Sequence, residues 1–184
     1  MRRDVAPFPL RRKTQIEMQS ERVVTRLTRG RIHGQIHGPS TTVSKAEPVK
    51  PAPFRYFLPS TVPQALALLQ EHGPDARPLA GGQSLVPMMN FRLAHPAALI
   101  DLNRIPELAY IRDAGDRLAI GAMTRERAIE SSDLVRSMAP LLHKATLNIA
   151  HLPIRSRGTI GGSIANADPA AEYPAAILAL DAEL

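Results

Sequence analysis

Two glycine pairs, Gly81-Gly82 and Gly161-Gly162, set the narrowest constraint on this chain. Each interrupts a regular apolar pattern with main chain that carries no Cβ, which permits positive φ and close approach of another group. The first lies in Ala80-Gly81-Gly82-Gln83-Ser84, between a predicted strand and a predicted helix. The second lies in Gly158-Thr159-Ile160-Gly161-Gly162-Ser163, about eighty residues on, and is expected to be a second loop. In such loops successive N–H groups form a concave nest for an anion, with Ser84, Thr159 and Ser163 as further hydroxyl donors. Two loops of this kind are able to grip one diphosphate from opposite sides. Neither matches GxGxxG or GxxxxGKS/T, and no Walker lysine follows, which weakens a Rossmann or P-loop reading. Taken singly, each pair is equally a plain tight turn.

The pattern around the first pair predicts a small α/β unit. A strand is expected within Phe54–Pro59, followed by a helix capped at Ser60-Thr61, with Pro63 in its first turn and Gly73-Pro74 ending it. Arg77–Ala80 and Ala98–Leu102 are the next strands, with an apolar helix from Ser84 to Phe91 between them. After Pro106 the pattern changes. Ala109–Arg112 and Leu118–Gly121 flank Asp113-Ala114-Gly115-Asp116 as a hairpin. Helices are expected from Thr124 and from Asp133 to His151, broken near Pro140, and a last helix opens with Asp168 as N-cap and Pro169 at N1. The fold class read from this order is α+β in two small subdomains. One holds a parallel or mixed three-stranded sheet with helices, the other a partial antiparallel sheet with helices.

Charge separates a leader from this domain. Residues 1–52 hold 11 basic and 4 acidic side chains, whereas residues 53–184 hold 12 basic and 13 acidic, so the formal +6 resides in the leader. Gly and Pro break every apolar period there, and the leader is read as a disordered extension; nucleic-acid binding through it is the less favoured alternative. His33 and His37 are each followed by Gly, which disfavours a helical metal pair. The chain has no Cys, which excludes disulfides and thiolate-held iron–sulfur clusters. No apolar run approaches the ~20 residues of a membrane span, and a cytoplasmic protein is expected. His143 and His151 read as packing or surface groups and Met88-Met89 as core filler. No hydrolytic triad, paired catalytic carboxylates or metal cluster is legible, which suits a site where a cofactor carries the chemistry.

From Phe54 to Leu184 the chain resembles the FAD-binding, medium subunit of the molybdenum hydroxylases, the group including carbon monoxide dehydrogenase and xanthine dehydrogenase. The resemblance is carried by Pro53–Tyr56, by Ala80-Gly81-Gly82-Gln83-Ser84-Leu85-Val86-Pro87-Met88-Met89-Asn90-Phe91-Arg92, by Ile100–Pro106, by Ile120–Thr124 and by Pro153–Glu172 with its Thr159-Ile160-Gly161-Gly162-Ser163 core. It implies a domain over 53–184, with subdomains about 53–106 and 107–184 and FAD in the cleft between them. It implies that Ala80, Gly81, Gly82, Gln83 and Ser84, together with Thr159, Ile160, Gly161, Gly162 and Ser163, hold the FAD diphosphate, and that Leu79, Leu85, Asn166 and Glu172 lie along the cofactor. It implies an oxidoreductase subunit that receives electrons from iron–sulfur clusters and a molybdenum cofactor on partner subunits and passes them to an acceptor. Members of this group continue past the position of Leu184 and start near that of Phe54. The chain is therefore read as an N-terminal portion, with Val49 as a candidate natural start. Two alternatives accompany this reading. One is a truncated product or docking module without flavin; the other is a cell-wall sugar-nucleotide reductase with a related FAD domain.

Overall fold

The computed structural model describes residues 50–184, which divide into two compact units, 50–104 and 105–184. The expectations for residues 1–49, the bulk of the basic leader 1–52, and for a start at Val49, lie outside the described residues.

In the first unit, β1 (Arg55–Phe57), β2 (Ala76–Leu79) and β3 (Ala98–Asp101) form a parallel sheet in the order β1-β3-β2. The central strand is buried along its whole length, as parallel pairing on both sides demands. Pro78 is tolerated because β2 is an edge strand, where a missing N–H costs no ladder bond on the open side. Helix α1 (Val62–His72) starts where expected: Thr61 is extended, and its side chain accepts from the Gln64 N–H at 3.4 Å. Gly73, at φ +57, ends it. Helix α2 (Leu85–Asn90) follows the first glycine pair and buries Met89.

In the second unit, β4 (Ile111–Asp113) and β5 (Leu118–Ile120) form the predicted hairpin. Six helices follow: α3 (Glu126–Ser131), α4 (Asp133–Met138), α5 (Pro140–Asn148), α6 (Leu152–Arg155), α7 (Ile160–Asn166) and α8 (Glu172–Ala179). The break near Pro140 falls at Ala139, between α4 and α5. The core joins Leu118 and Ile120 of β5 to Ile129, Leu142, Ile160 and Tyr173, all between 0 and 1 % exposed. Each such aliphatic side chain contributes roughly 1.5–3 kcal/mol by leaving water. This is the α+β architecture expected, with a small parallel sheet and a small antiparallel one.

Three local expectations are corrected. The segment Gly158–Ser163 is not a loop throughout, because α7 begins inside it at Ile160. Helix α6 was not expected; Pro153 sits in its first turn, where a proline costs nothing. Asp168 does not cap the last helix. Its Oδ1 accepts from the Ala170 N–H at 2.9 Å in an Asx turn, and Ala171 takes the N-cap position of α8. Among the described residues no helix is long and apolar enough to cross a membrane, and no group of three or more His, Cys, Asp or Glu is placed to hold a metal.

Candidate functional site

The chemistry-bearing main chain of the first unit leaves the end of β2. Leu79 pairs with Asp101 at the last register position of the sheet, and the chain then turns through Ala80 to Ser84 into α2. Gly82 has φ +74, so this turn needs a residue without a Cβ. Four carbonyls of the turn are engaged. Ala80 O accepts from Asn103 Nδ2 at 2.9 Å and Gly81 O from Gln83 Nε2 at 3.1 Å. Gly82 O accepts from the Val86 N–H at 3.0 Å and Ser84 O from the Met88 N–H at 3.2 Å. The N–H groups of Gly81, Gly82, Gln83 and Ser84 have no acceptor among the described residues. Gly81 is itself buried. Main-chain N–H groups at such a position are nearly always satisfied. Four in succession, beside the engaged carbonyls of Ala80, Gly81, Gly82 and Ser84, are suited to an oxyanion. The location fits, because ligands of open parallel sheets gather beyond the carboxyl ends of the strands. Leu79 and Leu85 flank the turn, both half-buried.

The second glycine pair is built differently. Thr159 and Arg125 form an antiparallel bridge, across which Ile160 N–H donates to Thr124 O at 3.2 Å and Gly161 N–H to Ala122 O at 2.9 Å. Thr159 is the N-cap of α7: its Oγ1 accepts from the Gly162 N–H at 3.2 Å and its carbonyl from the Ser163 N–H at 3.1 Å. All four N–H groups from Ile160 to Ser163 are thus committed within the chain. Gly161 is required by proximity, since a Cβ there would lie 2.6 Å from both the Ala122 carbonyl oxygen and its Cβ. Ile160 and Thr159 are core residues, 0 % and 2 % exposed. Gly162, Ser163 and Glu172 are half-buried and Asn166 is exposed. The residues of this segment that face solvent therefore offer side chains, not main-chain donors.

Sequence reasoning missed a polar cluster beside this segment. Glu126, in the first turn of α3, is 5 % exposed, and its Oε2 has no hydrogen-bond partner. Its carboxyl lies against Gly158, where a Cβ would sit 2.5 Å from Oε1. Burial pushes its pKa up from 4.5 to about 7, Arg155 pulls it down, and the Glu172 carboxylate pushes it up. Glu130, one turn along α3, instead accepts from Arg155 Nε at 2.9 Å, and that hydrogen bond holds its carboxyl below the ordinary range. Tyr173 Oη and Thr146 Oγ1 share a buried hydrogen bond of 3.0 Å, and burial raises the phenol. A lone Glu between Arg125 and Arg127 has no sequence signature that separates it from a solvated helix face.

A sequence profile described as the FAD binding domain in molybdopterin dehydrogenase matches residues 52–184. The chain is 46% identical over 136 residues to the caffeine dehydrogenase subunit beta of Pseudomonas sp. (strain CBB1), a match covering 74% of this chain and 46% of that protein. It is 49% identical over 132 residues to the carbon monoxide dehydrogenase medium chain of Hydrogenophaga pseudoflava, covering 72% and 46%. Among solved structures, carbon monoxide dehydrogenase from Hydrogenophaga pseudoflava lacking the Mo-pyranopterin moiety superposes with a TM-score of 0.67 at 51% identity, over 68% of this chain and 44% of that one. Quinoline 2-oxidoreductase from Pseudomonas putida 86 gives 0.66 at 39% identity, with the same coverage of both chains. The chain spans just under half the length of these relatives. On the profile match and these identities together, the chain belongs to the FAD-binding domain family of the molybdopterin dehydrogenases.

Proposed function

We propose that this chain binds FAD as part of the electron-transfer subunit of a molybdenum hydroxylase. The observation that carries the reading is the turn from Gly81 to Ser84, with four N–H groups free and three of its four carbonyls engaged. A diphosphate needs several donors at once and is met there without a lysine or a metal. In this reading Ala80 to Ser84 seat the diphosphate, while Leu79 and Leu85 supply apolar walls beside it. On the family pattern, Thr159 to Ser163, Asn166 and Glu172 are the second unit's contribution, made through side chains such as Ser163 because its main-chain donors are spent. When bound, FAD supplies one- and two-electron redox chemistry, and the protein's task is to bind and orient it.

With no Cys, this chain leaves iron–sulfur ligation to a partner subunit. On the family pattern the same proposal includes an iron–sulfur partner, a molybdenum-cofactor partner and a cytoplasmic location. Titrating the full chain with FAD and following quenching of flavin fluorescence tests the first step. Saturable binding of one FAD per chain is expected, and an unsaturable, linear response overturns the assignment. Co-purification with tagged iron–sulfur and molybdenum-cofactor chains tests the second.

A further inference from the structure

A polar chain of side chains crosses the carboxyl ends of all three strands of the first unit. Tyr56 on β1 donates from its hydroxyl to Asp101 Oδ2 at the end of β3. Asp101 is 7 % exposed, and its Oδ1 accepts from the Asn103 N–H at 2.8 Å and also from Asn103 Nδ2. Asn103 Nδ2 in turn donates to Ala80 O at 2.9 Å, just beyond β2. A buried carboxylate costs free energy unless it is saturated with donors. Asp101 meets that demand with donors from two separate segments and so fixes the Asn103 side chain in one rotamer. Asn103 is itself exposed. Its amide instead anchors the first carbonyl of the turn whose N–H groups are free.

We infer that Asn103, oriented by Asp101 and Tyr56, is a positioning residue that aims the donors of the Ala80–Ser84 turn at a diphosphate ligand. A peptide plane has one rotational setting for both its ends. Tethering the Ala80 carbonyl therefore sets the direction of the Gly81 N–H, and Gln83 does the same for the next plane through Gly81 O. Preorganisation of this kind raises affinity by removing the ordering cost that binding would otherwise meet. The inference rests on the flavin reading of this turn.

The test uses the full chain with FAD and ADP as probes, which share the diphosphate, alongside a thermal midpoint for each protein. Asn103→Ala should weaken both ligands by about tenfold, the usual consequence of losing one well-placed hydrogen bond, and should lower the midpoint as well, since the buried Asp101 carboxylate loses a donor. Asn103→His, which keeps an N–H at similar reach, should restore affinity to within about threefold on the same basis. Tyr56→Phe should weaken both ligands by a smaller factor. Unchanged affinity in Asn103→Ala overturns the inference. So does a loss accompanied by a lowered midpoint that Asn103→His does not repair, since that marks a merely structural role. If the parent binds neither probe, the flavin reading of the turn falls and this inference with it, a result distinct from equal binding by parent and variant.

Discussion

The two glycine pairs look alike as strings and use glycine for opposite purposes. Gly82 supplies a backbone angle, φ +74, and the turn around it keeps four N–H groups open while spending most of its carbonyls. Gly161 supplies proximity: its N–H bonds Ala122 O at 2.9 Å, and the missing Cβ lets that strand-like stretch lie against the start of α7. In the proposed reading the first pair serves binding, whereas the second is a joint within the second unit. A Gly-Gly flanked by Ser or Thr therefore does not define an anion site. What defines one is where the N–H groups of the segment go, and that is a matter of accounting over the whole chain.

Substitutions can break or sharpen this contrast. The largest expected effect is Gly161→Val. Its Cβ meets Ala122 backbone atoms at 2.6–2.8 Å, which cannot swing aside as a side chain would, so a loss of about 3 kcal/mol or more is expected in denaturant unfolding. A loss below 1 kcal/mol would show that the joint is slack. Next is the pH response beside that joint. The Glu126 carboxyl is raised from 4.5 to about 7 in the folded state, so the folded chain holds more protons than the unfolded one between those values. Stability should fall as pH rises from 4.5 through about 7 and level off above it. Glu126→Gln should abolish that slope and make the chain about 2 kcal/mol more stable than the parent at pH 8, allowing for partial screening of the charge. A parent whose stability is flat across this window, or rises, would show that Glu126 has an unrecognised donor.

Gly82→Ala should divide the two segments most sharply. Positive φ costs an alanine about 1–2 kcal/mol, and its Cβ meets only the side-chain ends of Leu79 and Val86, at 3.2 Å. The fold should survive while FAD affinity drops at least tenfold, because the donors no longer converge. Retained affinity would remove the turn from the site. The smallest effect is Thr159→Ala, which deletes the cap on Gly162 and should cost about 1 kcal/mol of stability. Under the contrast drawn here it should change FAD affinity much less than Gly82→Ala does; the reverse order would return the second segment to the role of a main-chain phosphate donor.

Much of the architecture was legible in the chain because it depends on neighbours in sequence. Thr61 and Gly73 bound α1 through contacts within a few residues, and Asp113 to Asp116 turn the hairpin locally. The strand–helix–strand order, with strands expected at Arg77–Ala80 and Ala98–Leu102, pointed to a parallel or mixed sheet, and the sheet is parallel. The errors share another cause. Asp168-Pro169 carries a helix-start signature, yet the Asp carboxylate closes its own Asx turn with Ala170 two residues on, and the helix waits until Glu172. Thr159 to Ser163 reads as a loop until the carbonyls of Ala122 and Thr124, more than thirty residues earlier, arrive to take its N–H groups.

Sequence alone thus indicated the element order as far as α5, the absence of Cys from this chain and the two places where backbone without a Cβ is required. Tertiary structure alone decided which of those places keeps its donors free, which acid, Glu126, is stripped of water, and that Asn103 reaches back to Ala80. The division follows from range. Caps and turns are set by torsions and hydrogen bonds over three or four residues, whereas the fate of an N–H or a carboxylate depends on whichever distant segment folding brings against it.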